Sequence, residues 1–373
     1  MLAAWPFHQA QALLNLGGTR NQIFVFGSVT FTHSSNIFYD NTNRGDYSVT
    51  TEAGIDLKRQ AGILAINATA KFDYESFSKY SGQSSFNPNF FIEFVKSAGR
   101  LTGSFSASAY RESRADTAVN LRTNSWNIPL ALTLKYPVNE KFYVSSQTGY
   151  LARRYSDSPV LDNGQPQLTN YSDYSEALDV FYVYTSKLDL NGGYRLRIST
   201  TTTGRQTYDH WFNVGATGGL FAKITGSVRF GYQIRNIDGG ASFNQVNALA
   251  SLNWLATRNV SFSGQVSRDF NTIATGDSVD STGTALRMNY ILNRKVDFDT
   301  GIGYGRNLFL GAVVPPAIDQ RRDQFFSWDL GVHYKFNEHL RLAASYTFLH
   351  NHSNRGFAEF GRNAFSLEIS CRY

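Results

Sequence analysis

No stretch of this sequence approaches the ~18–20 consecutive apolar residues that a membrane-spanning helix requires, which excludes helical membrane proteins. Cysteine is nearly absent: Cys371 stands alone, so no disulfide scaffold is available within the chain. Proline and methionine are scarce, at 8 and 2 residues. Charge is also thin, at 17% of the chain against the ~25% usual for soluble domains. The net charge of +6 comes with no run of Lys or Arg longer than two, which argues against nucleic-acid binding. What the chain does have is aromatics and glycine: 29 Phe, 21 Tyr, 5 Trp and 31 Gly. An aromatic-rich, Gly-rich chain with a negative mean hydropathy reads as one large all-β protein.

Alternation with a period of two runs through it. In the last segment Phe365, Leu367, Ile369, Cys371 and Tyr373 are interleaved with Ser366, Glu368, Ser370 and Arg372. Leu340, Leu342, Ala344, Tyr346 and Phe348 repeat the pattern, as do Phe326, Trp328, Leu330, Val332, Tyr334 and Phe336. Successive strand side chains point to opposite faces, so each segment carries one apolar and one polar face. Short turns fall near residues 59–61, 97–99, 138–140, 186–188, 222–223, 257–259, 293–295 and 337–339. Longer polar stretches separate them, among them residues 35–45, 76–85, 111–123, 155–173, 200–207, 236–241, 271–279, 308–322 and 351–362. Short and long connections in strict alternation mark an outer-membrane β-barrel. The expected fold is therefore all-β: a transmembrane antiparallel up-and-down barrel of about 18 strands (16–18), with short periplasmic turns and long extracellular loops. Residues 1–12 read as the tail of a secretory signal, apolar and ending in Ala10-Gln11-Ala12, and residues 13–373 as a single barrel domain.

The chain end FFSWDLGVHYKFNEHLRLAASYTFLHNHSN, followed by FGRNAFSLEISCRY, resembles the putative β-barrel porin 2 family of bacterial outer-membrane proteins. The resemblance is good over residues 324–373 and only patterned over 45–310. It implies a Gram-negative outer-membrane location and an 18-strand class of barrel, and some members are associated with exopolysaccharide production. The alternating strand that closes on Tyr373 (Phe365, Leu367, Ile369, Cys371, Tyr373) also resembles the signal read by barrel-assembly machinery.

If the apolar faces meet lipid, the polar faces line the lumen, since Arg or Lys on the lipid side costs up to ~2–4 kcal/mol at the midplane. The expected pore lining includes Arg195, Arg197, Arg229, Arg235 and Arg287, with Asp297, Asp299, Asp329, Arg341 and Glu368. The basic group and the acidic group fall on different strands, which predicts opposed walls and a transverse field that sets ion preference. The alternative is a self-neutralising lumen. Two stretches are candidates to constrict it. One carries Arg111, Glu112, Arg114, Asp116 and Arg122 and is the third long loop; the other carries Val313, Pro315 and Pro316 beside Arg321 and Arg322. Tyr143 and Phe181 are candidate lumenal aromatics for stacking on sugars.

No catalytic constellation, metal site or cofactor site is expected. Gly301, Gly303 and Gly305 sit within a strand and open no helix, and they make room in the lumen instead. His350 and His352 lack a third ligand. The sequence thus points to a non-enzymatic pore for small polar solutes. The alternatives are an exopolysaccharide export barrel or a plugged structural or adhesin barrel. The expected partners are outer-membrane lipid and lipopolysaccharide, the assembly machinery and the solute or polysaccharide in the lumen, with a homo-oligomer left open.

Overall fold

The computed structural model describes residues 14–15, 21–156, 168–311 and 319–373. Eighteen long strands follow one another, and the described residues contain no α-helix, only single 3-10 turns at Ser81–Gln83 and Gly356–Ala358. The first six are β1 (Asn21–Ser34), β2 (Asp46–Ala61), β3 (Leu64–Phe77), β4 (Ser85–Lys96), β5 (Thr102–Asp116) and β6 (Leu121–Pro137). Then come β7 (Phe142–Tyr155), β8 (Tyr171–Thr185), β9 (Leu188–Thr201), β10 (Gln206–Phe221), β11 (Ile224–Ile237) and β12 (Ser242–Leu255). The last six are β13 (Val260–Thr272), β14 (Ser278–Ile291), β15 (Val296–Phe309), β16 (Arg322–Lys335), β17 (Leu340–Ser353) and β18 (Phe360–Arg372).

Each strand pairs antiparallel with the next, and β18 closes on β1 from Ala364↔Ser34 to Arg372↔Phe26. Val25 and Tyr373 then exchange two backbone hydrogen bonds of 2.8 Å. Beyond that point Leu14 and Asn15 pair with Ile23 and Gln22, extending the edge that the chain end leaves open. Closure satisfies the backbone without water, which a sheet in hydrocarbon requires.

The alternation holds through the wall. Phe31, Ile55, Phe72, Leu178, Val214, Phe230, Ile302 and Leu367 lie exposed on the outer face, as a lipid-facing belt demands. Glu176 breaks the rule: the pairing Glu176↔Thr148↔Leu132 puts it on the outer face. Ser146 and Thr148 donate to its two oxygens at 2.8 and 2.6 Å, so the carboxylate is solvated by protein hydroxyls.

The short turns recur by one device. Asn139, Asn293 and Asn337 each accept two backbone N–H groups through the side-chain oxygen, and Thr257 does the same with its hydroxyl. At the opposite end several connections are tighter than expected. Strand structure runs to Asp116, Thr201, Ile237 and Thr272 and resumes at Leu121, Gln206, Ser242 and Ser278. The polar stretches read as long loops there are strand ends that continue past the belt, where no lipid sorts apolar from polar residues. The expected signal remnant, residues 1–12, lies outside the described residues.

Candidate functional site: the lumen and its covered mouth

All ten predicted pore-lining side chains sit on strands whose polar face turns inward, but their charges are not arranged as two opposed walls. Arg195 and Arg197 on β9 meet Asp269 at 3.1 and 3.2 Å, and Arg197 also meets Asp209 at 2.6 Å. Arg235 on β11 grips both oxygens of Asp209, at 2.6 and 2.7 Å, and Arg229 reaches Asp179 at 2.9 Å. On the other side Arg287 bridges Asp299 and Asp329 at 2.5 and 2.9 Å. Arg341 lies 3.5 Å and Lys335 3.4 Å from Asp297, while His333 lies 2.7 Å from Asp299. The expected transverse field is therefore corrected to local neutralisation. Arg235 is 0% exposed, and a guanidinium withdrawn from water that far needs a carboxylate against it. Glu368 has no ion-pair partner among the described residues.

Asp179, Asp209 and Asp269 are the lumenal residues that the sequence reading missed. Each stands at an inward parity position in its strand, so counting from the neighbouring arginines along the register would have found Asp179 and Asp209. Asp269 could not be found that way, because it meets β9 from four strands distant.

Its route there is a split in the wall. The β12–β13 ladder ends at Ala248↔Arg268, yet β13 runs on to Thr272, still paired with β14. The top of this hairpin leaves β12 and folds into the lumen. Arg197 donates to the Phe270 carbonyl and Arg235 to that of Asn271, the latter at 2.9 Å. A second hairpin does the same. The β4–β5 ladder ends at Asn89↔Tyr110, while β5 continues to Asp116 paired with β6. The freed edge of β4 carries Pro88, which has no N–H to lose, and Arg111 donates to the Phe86 carbonyl at 3.0 Å.

The constriction candidates are thereby redistributed. Arg111, Glu112, Arg114, Asp116 and Arg122 belong to strands rather than to a loop, because the polar stretch pairs with itself as a hairpin. Arg111 faces outward with Trp126, not into the lumen. Glu112 and Arg114 pair with each other at 3.3 Å, and Arg122 reaches over β4 to Glu75 on β3 at 2.8 Å. Asp116 caps the turn by accepting from the Ala118 amide. Val313, Pro315 and Pro316 lie outside the described residues. Arg322 opens β16 on its outer face, whereas Arg321 turns inward.

The hairpin tips meet over the mouth. Val119 from the β5–β6 turn packs with Leu168 and Ala274 in a buried apolar cluster, and Thr169 donates its amide to the Ala274 carbonyl at 2.7 Å. Arg321 arrives from the far side of the barrel. It donates to the Thr117 and Ala118 carbonyls and to Asn120 Oδ1, at 3.0, 2.7 and 3.0 Å, while Asp323 holds its other edge. Asn120 in turn donates to the Tyr39 carbonyl at 2.7 Å. Asn120 and Tyr39 both adopt left-handed backbone, at φ 56° and 59°. That geometry suits Asn but costs Tyr, whose ring is stacked on Phe360 at 5.3 Å.

Tyr143 and Phe181 do face the lumen, but they stack on one another at 4.5 Å, with Lys135 over the tyrosine ring. The inward glycines of β15 lie under their neighbours. A Cβ at Gly301, Gly303 or Gly305 would come within 2.7 Å of Asp329, Ser327 or Phe325.

The model of a family described as Putative beta-barrel porin 2 matches residues 181–373, just over half of the chain. Among solved structures, OpdK from Pseudomonas aeruginosa with vanillate has a TM-score of 0.51 at 7% identity, over 94% of this chain and 99% of that one. OpdQ from the same organism has a TM-score of 0.51 at 9% identity, over 95% and 98% of the two chains. The FrpB iron transporter from Neisseria meningitidis (F3-3 variant) has a TM-score of 0.48 at 10% identity; 88% of this chain spans 62% of its length. For the two Pseudomonas proteins, at such identities, the likeness is one of fold alone. No curated protein matches the chain.

Proposed function

The chain belongs to the Putative beta-barrel porin 2 family, and on that premise we propose that it is a porin-like channel that passes small polar solutes across the bacterial outer membrane. One observation carries the reading: a closed barrel of 18 long strands with lipid-compatible side chains outside and ionised side chains inside. At this strand number the interior is too wide for wall side chains to fill, so water occupies what the hairpins leave. The channel works without bond chemistry; its residues set size and charge for what diffuses through. Lipid and lipopolysaccharide surround the belt in this reading. The exposed Phe365, Leu367, Ile369, Cys371 and Tyr373 edge serves as the signal to the assembly machinery.

A second reading, a barrel plugged as an anchor or adhesin, is favoured by the Val119–Leu168–Ala274 contact across the mouth. Conductance of the purified protein in a planar bilayer separates the two. Discrete current steps, with swelling of sugar-loaded liposomes, are expected for the channel. A silent bilayer, both for the wild type and for a variant lacking the two hairpin tips, would sink it.

A further inference from the structure

Asp269 occupies a site built for a carboxylate by other strands. Arg197 presents both terminal nitrogens to its two oxygens, at 3.2 and 3.3 Å, and Arg195 adds a contact at 3.1 Å. Gln233 donates its amide nitrogen to Oδ1 at 2.7 Å. The cradle is itself fixed. Gln233 is 0% exposed, and its carbonyl oxygen accepts from Asn247 at 2.7 Å and Gln245 at 3.3 Å, which turns the NH₂ toward Asp269. The Arg195 guanidinium stands over the Trp211 ring, 4.0 Å from its centroid. These groups stand on β9, β10, β11 and β12, within the continuous wall. The occupant stands on the β13–β14 hairpin, one residue beyond the last β12–β13 pair.

We infer that this cradle is a binding site for a solute carboxylate, that Asp269 occupies it as an internal mimic, and that exchange of the two opens the β13–β14 hairpin as a gate. The inference rests on the channel reading above. Asp269 makes the strongest of the hairpin's attachments to the wall: it faces two guanidinium groups, whereas Asp277 at the turn meets Arg205 alone, at 3.2 Å and exposed, and the Phe270 and Asn271 carbonyls are neutral acceptors. The split beside Arg268 is the hinge, because no ladder bond to β12 has to break for the hairpin top to swing. The apolar contact of Ala274 at the tip is small. A ligand moves such an equilibrium only through its differential affinity, and a free carboxylate binds the cradle only when Asp269 has left it.

The test is open probability in planar bilayers, in constant potassium chloride with and without millimolar sodium acetate as the probe. Sodium sulfate at matched ionic strength is the control. Acetate, and not sulfate, is expected to raise the open probability of the wild type by about fivefold or more. Asp269→Asn is expected to be open without acetate and insensitive to it, while Asp269→Glu behaves as the wild type. Retained heat-modifiable migration on gels shows that each variant is folded. A conducting wild type that ignores acetate, with Asp269→Asn gating identically, overturns the gate and leaves the channel reading standing. Silence of every variant, including one without the hairpin tips, overturns the channel reading itself.

Discussion

Two hairpins leave the same barrel wall and are held in different ways. The β13–β14 hairpin enters the lumen beside the split and is seized along its flank by Arg195, Arg197, Arg235 and Gln233. The β5–β6 hairpin is held at its tip, by Arg321 from across the mouth and by Tyr39 through Asn120, with Arg122 and Glu75 lower on its side. The first attachment is charge against charge, with Asp269 27% exposed against Arg195 and Arg197 at 25% and 16%. The second is mostly one cation against neutral oxygens at the rim. Breaking an ion pair from one side strands a charge, whereas a neutral carbonyl that loses its donor is left only one hydrogen bond short. The contrast separates a charge-latched element from one held by geometry.

The largest expected effect is on the flank latch. Arg235→Met leaves Asp209 buried with only Arg197 against it and should destabilise the folded barrel by about 3–5 kcal/mol; urea unfolding in detergent micelles checks it. If the loss were only that of a surface pair, the two hairpins would not differ as argued.

An intermediate effect tests the belt that both hairpins leave. Leu178, 52% exposed on the outer face, replaced by Arg should cost about 2–4 kcal/mol if it lies near the midplane. Folding into lipid vesicles measures this. An unchanged folding midpoint would mean that the outer face is not in hydrocarbon.

At the rim, Arg321→Ala removes three donated bonds from the β5–β6 tip. Deuterium exchange at residues 117–121 should accelerate by about ten- to a hundredfold, while the exchange of 269–272 stays as it was. Equal acceleration of both hairpins would merge them into one unit. The smallest change is Arg122→Gln, worth about 1–2 kcal/mol, since Glu75, 23% exposed, loses its ion pair but keeps an amide donor in reach.

Much of the wall was legible in the sequence. The alternation from Phe326 to Phe336 and from Phe365 to Tyr373, the turns at residues 138–140, 293–295 and 337–339, and the even strand count all follow from rules that act within a strand or a hairpin. The inward placement of Arg195, Arg229 and Asp297 followed from the same parity. What parity cannot supply is distance around the barrel. Strand order placed Arg197 and Asp299 on opposed walls, but left out Asp209 on the adjacent strand and Asp269 on the inturned hairpin, which neutralise Arg197 locally. It also read residues 111–123 and 271–279 as loops, since beyond the lipid a polar strand and a polar loop have the same composition.

The sequence alone determined which side chains face hydrocarbon and which face water, because lipid imposes a two-residue period on every strand that crosses it. Only the tertiary structure decided that two hairpins abandon the wall, that Asp269 answers to Arg195 and Arg197, and that Arg321 closes on Asn120. Those contacts join residues 72 to 201 positions apart, and no local period carries information about partners that far away along the chain.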